Sequence, residues 1–195
     1  MNLSPSWLCR LSTFALISLV FAPPASADPG WNLIRQADGV DLWGRSFEGS
    51  PFWEYRAETL ISQSPDFVWA WILEIRNLPR WMAYVTSARN QTIVFQAPWP
   101  FTPEVLEFHF LSAGSAEDYK HLELRGLPAQ DNPREQPVVV SFTGELVLKP
   151  QSGGTFVQFR LHTELSPRIP PWLANGSLGE LPFHSLRQLR DVLAP

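Results

Sequence analysis

Four stretches of this chain alternate apolar and polar residues with a period of two, and that rhythm confines them to strands with one buried face. Tyr55, Ala57 and Thr59 form the first apolar strip, with Glu54, Arg56 and Glu58 opposite. Leu106, Phe108 and Phe110 form the second, and Val140, Phe142, Gly144 and Leu146 the third. Val157, Phe159, Leu161 and Thr163 form the fourth. Half-buried alternation belongs to antiparallel sheets, because parallel sheets are covered on both faces and read as unbroken apolar runs.

The remaining segments fit the same reading. Trp31–Gln36 and Val40–Arg45 alternate around the Asp38-Gly39 turn, and Phe52–Ser62 follows the Glu48–Pro51 turn, so a three-stranded meander is expected. Ser64 then caps a helix with Pro65 at its first position, and Phe67, Trp71, Ile72 and Ile75 recur at a spacing that would face the sheet. A turn over Asn77–Met82 carries Trp81. Further strands are predicted at Thr86–Asn90, Thr92–Ala97, Val105–Ser112, Tyr119–Gly126, Val138–Lys149 and Thr155–Leu165, with a polar loop over Leu127–Gln136. The last segment, Pro170–Leu193, has a stripe of Trp172, Leu178, Leu181, Leu186, Leu189 and Leu193, with Gly176, Gly179 and Pro182 bending its first half. The class is α+β, with a curved antiparallel sheet wrapped around a long C-terminal helix.

The N-terminus stands apart. Arg10 precedes an apolar run over Leu11–Phe21, and Pro23-Pro24 and Ala25-Ser26-Ala27 follow, the order of a secretory signal peptide cleaved after Ala27. Residues 1–27 are therefore expected to be removed and 28–195 to form one domain. The layout predicts export to a bacterial periplasm, with secretion as the alternative. Cleavage removes the one cysteine, Cys9, so the mature chain has no disulfide of its own and must be stable by packing. It also removes Arg10 and no acid, making an already acidic chain of net charge −4 slightly more so. Clustered basic residues are what nucleic acid requires, and the chain's lysines are Lys120 and Lys149 alone, so no nucleic-acid partner is expected.

The catalytic inventory is thin. The sequence has no glycine-rich phosphate loop and no paired-histidine zinc helix, and His109, His121, His162 and His184 are scattered. Glu107 and His109 share the outward face of their strand, and Arg160, His162 and Glu164 share the outward face of another. Nine tryptophans and thirteen phenylalanines supply a large aromatic content instead, suited to lining a cavity for an apolar guest. Small residues on the inward faces, Ala57 and Gly144, leave room there.

In order and spacing, these segments resemble the bacterial START (StAR-related lipid-transfer) domains. The resemblance is carried by Trp31 with Asp38-Gly39-Val40, by Arg45, Gly49-Ser50 and Tyr55-Arg56-Ala57, and by Ser64-Pro65 and the Asn77–Trp81 turn. It continues through Ala97-Pro98-Trp99-Pro100, Ile169–Asn175 and Leu186–Arg190. It implies a helix-grip fold with an internal hydrophobic cavity, a lipid or sterol-like ligand, transient membrane contact, a monomeric state and no cofactor. The residues expected at the ligand are Tyr55, Thr59, Trp81, Phe95, Trp99, Phe108, Phe142, Phe159, Leu161, Trp172 and Leu186, with Trp99 and Trp172 near the mouth. One departure is visible: where the family usually carries an Arg-Asp pair, this chain has Glu104 and Val105. Two other functions fit a helix-grip chain. One is a cyclase-like enzyme using inward Tyr55, Thr59 and Thr163; the other is a ligand-free envelope interaction module with a filled core.

Overall fold

A computed structural model describes residues 30–96, 103–115, 119–130 and 137–194. The segment expected to be a signal peptide, residues 1–27, lies outside the described residues, as does Trp99. Among the described residues, nine strands form one antiparallel sheet: β1 (Asn32–Ala37), β2 (Val40–Ser46), β3 (Trp53–Ile61), β4 (Val85–Arg89), β5 (Thr92–Phe95), β6 (Glu104–Ser115), β7 (Lys120–Pro128), β8 (Val139–Gln151) and β9 (Gly154–Leu165). Their order is β1-β2-β3-β9-β8-β7-β6-β5-β4. Neighbours in sequence pair as hairpins except at β3, whose second partner is the last strand. Helices α1 (Pro65–Leu73) and α2 (Leu78–Trp81), separated by a short 3-10 turn, carry the chain from β3 to the far edge. Helices α3 (Pro171–Leu178) and α4 (Glu180–Val192) end it, with α4 packed on β2, β3, β9 and α2. This is the helix-grip arrangement.

Alternation works as expected along β9, where Thr155, Val157, Phe159, Leu161, Thr163 and Leu165 are all buried. On β8 it breaks: a bulge between Val139 and Ser141 turns Val140 outward at 45% exposure and buries Val139 in its place. One extra residue in a strand reverses every side chain before it. The third strip therefore consists of Val139, Phe142, Gly144 and Leu146.

Helix α1 begins as expected, with the Ser64 hydroxyl accepting from the Phe67 amide. Its buried face is Val68 and Ile72, four residues apart, while Phe67 is 49% exposed. Phe67 lies about 100° around the helix from Val68 and cannot share that face. Trp71 and Ile75 pack at the margin of the core. The C-terminal helix comes in two pieces broken at Gly179. The Tyr55 ring stands 2.9 Å from where a Gly179 side chain would begin, so the break lets the chain run close over β3. Pro182 falls in the first turn of α4, where a missing N–H costs nothing, and so it starts this helix instead of bending one. The expected stripe holds for Leu181, Leu186, Leu189 and Leu193, joined by Phe183, but Trp172 on α3 is 80% exposed.

The outward face of the sheet is an ordered charge ladder. Arg45 pairs with Glu54 at 2.6 Å, Arg160 bridges Glu54 and Glu145, and His121 reaches Glu145 at 2.7 Å. These residues belong to β2, β3, β9, β8 and β7 in turn, so positive and negative groups alternate across four neighbouring strands and an imidazole follows on the fifth. Glu54 is buried, against the expectation of an open face, because Arg45 and Arg56 lie over the Trp31 ring at 4.4 and 4.6 Å and roof that side. His162 is buried for a similar reason, with the Phe47 ring stacked on it at 3.8 Å.

Candidate functional site

The concave face of the sheet, α2 and α4 enclose an apolar interior. Within it, Met82, Val85, Ile93, Phe95 and Leu106 meet Val139, Phe142, Thr163 and Leu181 around a cavity of about 20 Å³. That is space for about one water molecule. Among the described residues, the space beside two inward glycines is taken by neighbouring side chains. Leu124 stands 2.6 Å from where a β-carbon of Gly144 would lie, and the Phe142 ring takes the equivalent position at Gly126.

A second space opens beside the first. A groove of about 400 Å³ runs between the turn after α1, the β4–β5 hairpin and β6, with Leu73, Ile75, Phe108 and Phe110 as its apolar lining. Glu74, Asn90 and Gln91 add polar groups to it. Phe108 lines the groove and Phe142 lines the cavity, and their rings pack with centroids 6.0 Å apart. The two spaces are thus separated by an aromatic pair.

Of the residues expected at the ligand, Phe95 and Phe142 line the cavity and Phe108 lines the groove. Trp81 and Phe159 pack edge to face at 6.1 Å, both fully buried. Leu161 and Leu186 lie in the same core. Tyr55 is buried beneath the α3–α4 break, its hydroxyl donating to the Asn175 carbonyl. Burial pushes its pKa up to about 12. Thr59 is not brought to the cavity; its hydroxyl donates to the Gly39 carbonyl at 2.8 Å and ties β3 to the first hairpin. Trp172 is at the surface, and Trp99 lies outside the described residues.

Two groups that the sequence did not single out, and Glu104, which it marked only as a departure from the family pattern, shape this interior. The Ser185 hydroxyl on α4 donates to the Leu181 carbonyl and accepts from the Ala83 amide at 2.9 Å, pinning the α2–β4 turn to the helix. The next residue, Tyr84, has a φ of 65°, a left-handed backbone that a bulky side chain rarely adopts. Its ring stacks edge to face on Phe95 and on His184. Glu104 is buried, and its carboxylate accepts from the amides of Val138 and Val139 at 2.6 and 3.0 Å. It therefore holds the bulged start of β8 at the cavity wall. A charge just after a run of prolines gave no hint of this, since its partners are backbone groups more than thirty residues away.

Apart from Glu104, which is spent on backbone amides, the acid–histidine pairs stand away from the cavity lining. Glu107 and His109 pair loosely at 3.8 Å on the outer face, both well exposed. His184, left without a partner by sequence reading, pairs with Glu180 one turn earlier at 2.9 Å, and Arg35 grips the same carboxylate at 3.1 Å.

No family model matches the chain. An uncharacterized protein of Pseudomonas aeruginosa is 25% identical over 95% of this chain and 96% of its own length. Among solved structures, a STAR-related lipid transfer protein of Xanthomonas axonopodis superposes with a TM-score of 0.73 at 27% identity, covering 85% of this chain and 99% of that one. Human StAR-related lipid transfer protein 5 superposes with a TM-score of 0.60 at 17% identity, covering 86% and 88%, a likeness of fold. The resemblance to START domains read from the sequence thus holds in three dimensions, and the chain has their helix-grip fold.

Proposed function

We propose that this protein binds a hydrophobic small molecule, lipid or sterol-like, between its sheet and α4 and carries it between membranes without chemical change. The observation that carries the reading is the separation of chemistry by face. Every residue lining the cavity is apolar except Thr163, while the Glu107–His109, His121–Glu145 and His162–Glu164 pairs sit on the other face of the sheet. The name of the Xanthomonas protein, a lipid transfer protein of the same fold, supports it. Burying a lipid chain is worth about 0.8 kcal/mol per methylene against water, and a bilayer offers nearly as much. A carrier therefore needs only to match the membrane and shield its guest in transit.

The cavity among the described residues measures about 20 Å³, so in this reading the interior opens as a lipid loads. Helix α3 is the proposed moving part. It buries only Ala174, and it is tied down by Asn175, whose side chain accepts from the Trp53 amide and donates to the Pro51 carbonyl. Turning about Gly179 would release it, and exposed Trp172 and Leu173 are placed to meet a bilayer surface as it does. We place the mature chain, from Asp28, in the periplasm or outside the cell, as a monomer.

Mass spectrometry of lipids extracted from the natively purified protein, with transfer of fluorescent sterols and phospholipids between vesicles, tests the reading. A stoichiometric bound lipid or accelerated transfer is expected. A protein that arrives empty and accepts none of them is not a carrier.

A further inference from the structure

We propose that the indole N–H of Trp81 anchors an oxygen atom of the bound molecule, so that the ligand is a neutral amphipath with a carbonyl, ester or hydroxyl group. This rests on the carrier reading above and narrows its ligand.

Trp81 is fully buried, and among the described residues its Nε1 has no hydrogen-bond partner. Indole N–H groups in protein interiors usually find an acceptor, because a buried donor left unmet forfeits its bond to water. The surrounding seam shows how complete the pairing otherwise is. Two residues on, the Ala83 amide meets Ser185, whose own hydroxyl proton goes to Leu181. The indole N–H of Trp43, by contrast, stands on the outer face with the Glu58 carboxylate at hand as its acceptor. Trp81 faces hydrocarbon instead, with the Phe159 ring against it.

Trp81 packs directly behind the lining of the proposed site. Met82, the next residue, lines the cavity. Phe159 continues along the inward face of β9 through Leu161 to Thr163, which also lines it. A ligand that opens this interior can bring an acceptor to Trp81, and only an oxygen-bearing one gains by doing so. No charged side chain lines the cavity, so an ionised head drawn inside would lose its hydration without a counter-charge. A neutral oxygen fits both conditions.

The test follows the indole resonances of ¹⁵N-labelled protein while methyl palmitate, hexadecane, cholesterol or cholestane is loaded. Trp81 is assigned by the resonance missing in Trp81→Phe, or through its own backbone amide should that variant not fold. The oxygenated member of a pair should move the Trp81 proton downfield and slow its exchange, while the hydrocarbon of the same skeleton should not. Trp81→Phe should weaken the oxygenated probe roughly two- to tenfold and leave the hydrocarbon unchanged. Palmitate, ionised at neutral pH, should bind less tightly than its methyl ester. An indole proton unmoved by a bound ester or sterol overturns the inference, as does equal weakening of both members of a pair or tighter binding of the acid. In those cases the carrier reading survives. Entry of none of the probes brings down both.

Discussion

The ring of Phe142 lies over Gly126, filling the space that a side chain on this residue of β7 would need. Gly126 pairs with Phe108 on one side and Phe142 on the other, so the two rings meet across a strand that puts nothing between them. The partition between groove and cavity thus depends on a residue without a side chain. Gly126→Ala should drive Phe142 off its position and destabilise the protein by about 1–3 kcal/mol, read as a lower denaturant midpoint. In a Phe142→Ala background the same change should cost much less, because the colliding ring is gone. Equal costs in the two backgrounds would refute the coupling.

Glu104 offers a second test. Its carboxylate serves two backbone amides at the start of β8, so Glu104→Ala leaves both buried donors without it and should cost about 1.5–3 kcal/mol. Glu104→Gln keeps one acceptor oxygen and should lose less. Hydrogen exchange should show faster amides at Val138 and Val139 in the alanine variant, with β1 and β2 unaffected.

Tyr55 sets the alkaline limit. Burial raises its pKa from 10 to about 12, so the folded protein holds the phenolic proton more tightly than the unfolded chain does. The stabilisation is complete below pH 10 and is lost as the pH climbs from there toward 12. Tyr84, raised by burial and by the neighbouring Glu180 charge, acts in the same direction. Denaturant midpoints should fall across this window. Tyr55→Phe should flatten the fall in part, while lowering stability at neutral pH by about 1 kcal/mol through loss of the Asn175 bond. An unchanged alkaline slope in that variant would contradict the assignment.

Trp172 separates surface function from stability. Being 80% exposed, it should be replaceable by serine with a stability change within about 0.5 kcal/mol. If α3 meets the bilayer, the same change should lower binding to phosphatidylcholine vesicles and slow lipid transfer several-fold, measured by vesicle flotation and a fluorescent-lipid assay. Transfer at the original rate would remove α3 from the proposed membrane face.

The strands were legible because period two is a local property. Each strand carries its own record of which side is buried, and the turns between them are written in Asp38-Gly39 and Gly153-Gly154, whose positive φ angles the hairpins use. The order of segments was enough to point to the helix-grip family. Legibility failed where one residue's environment depends on a distant one. Nothing near Val140 signals the bulge that turns it outward, and nothing near Phe67 shows that α1 seats itself on Val68 and Ile72. Gly144 reads as empty space, yet Leu124 from the neighbouring strand fills it.

The sequence by itself determined the antiparallel sheet, the cap of α1, the apolar stripe of α4 and the outward placing of Glu107 with His109 and of Arg160 with Glu164. All of these follow from periodicity and chemistry within a few residues. Only the tertiary structure decided that an aromatic pair stands between groove and cavity, that Glu104 holds the start of β8, and that Trp81 has no acceptor among the described residues. Those are matters of volume and of hydrogen-bond partners brought together from different strands and helices, and side-chain volume in a packed core is shared between segments that do not adjoin in the chain.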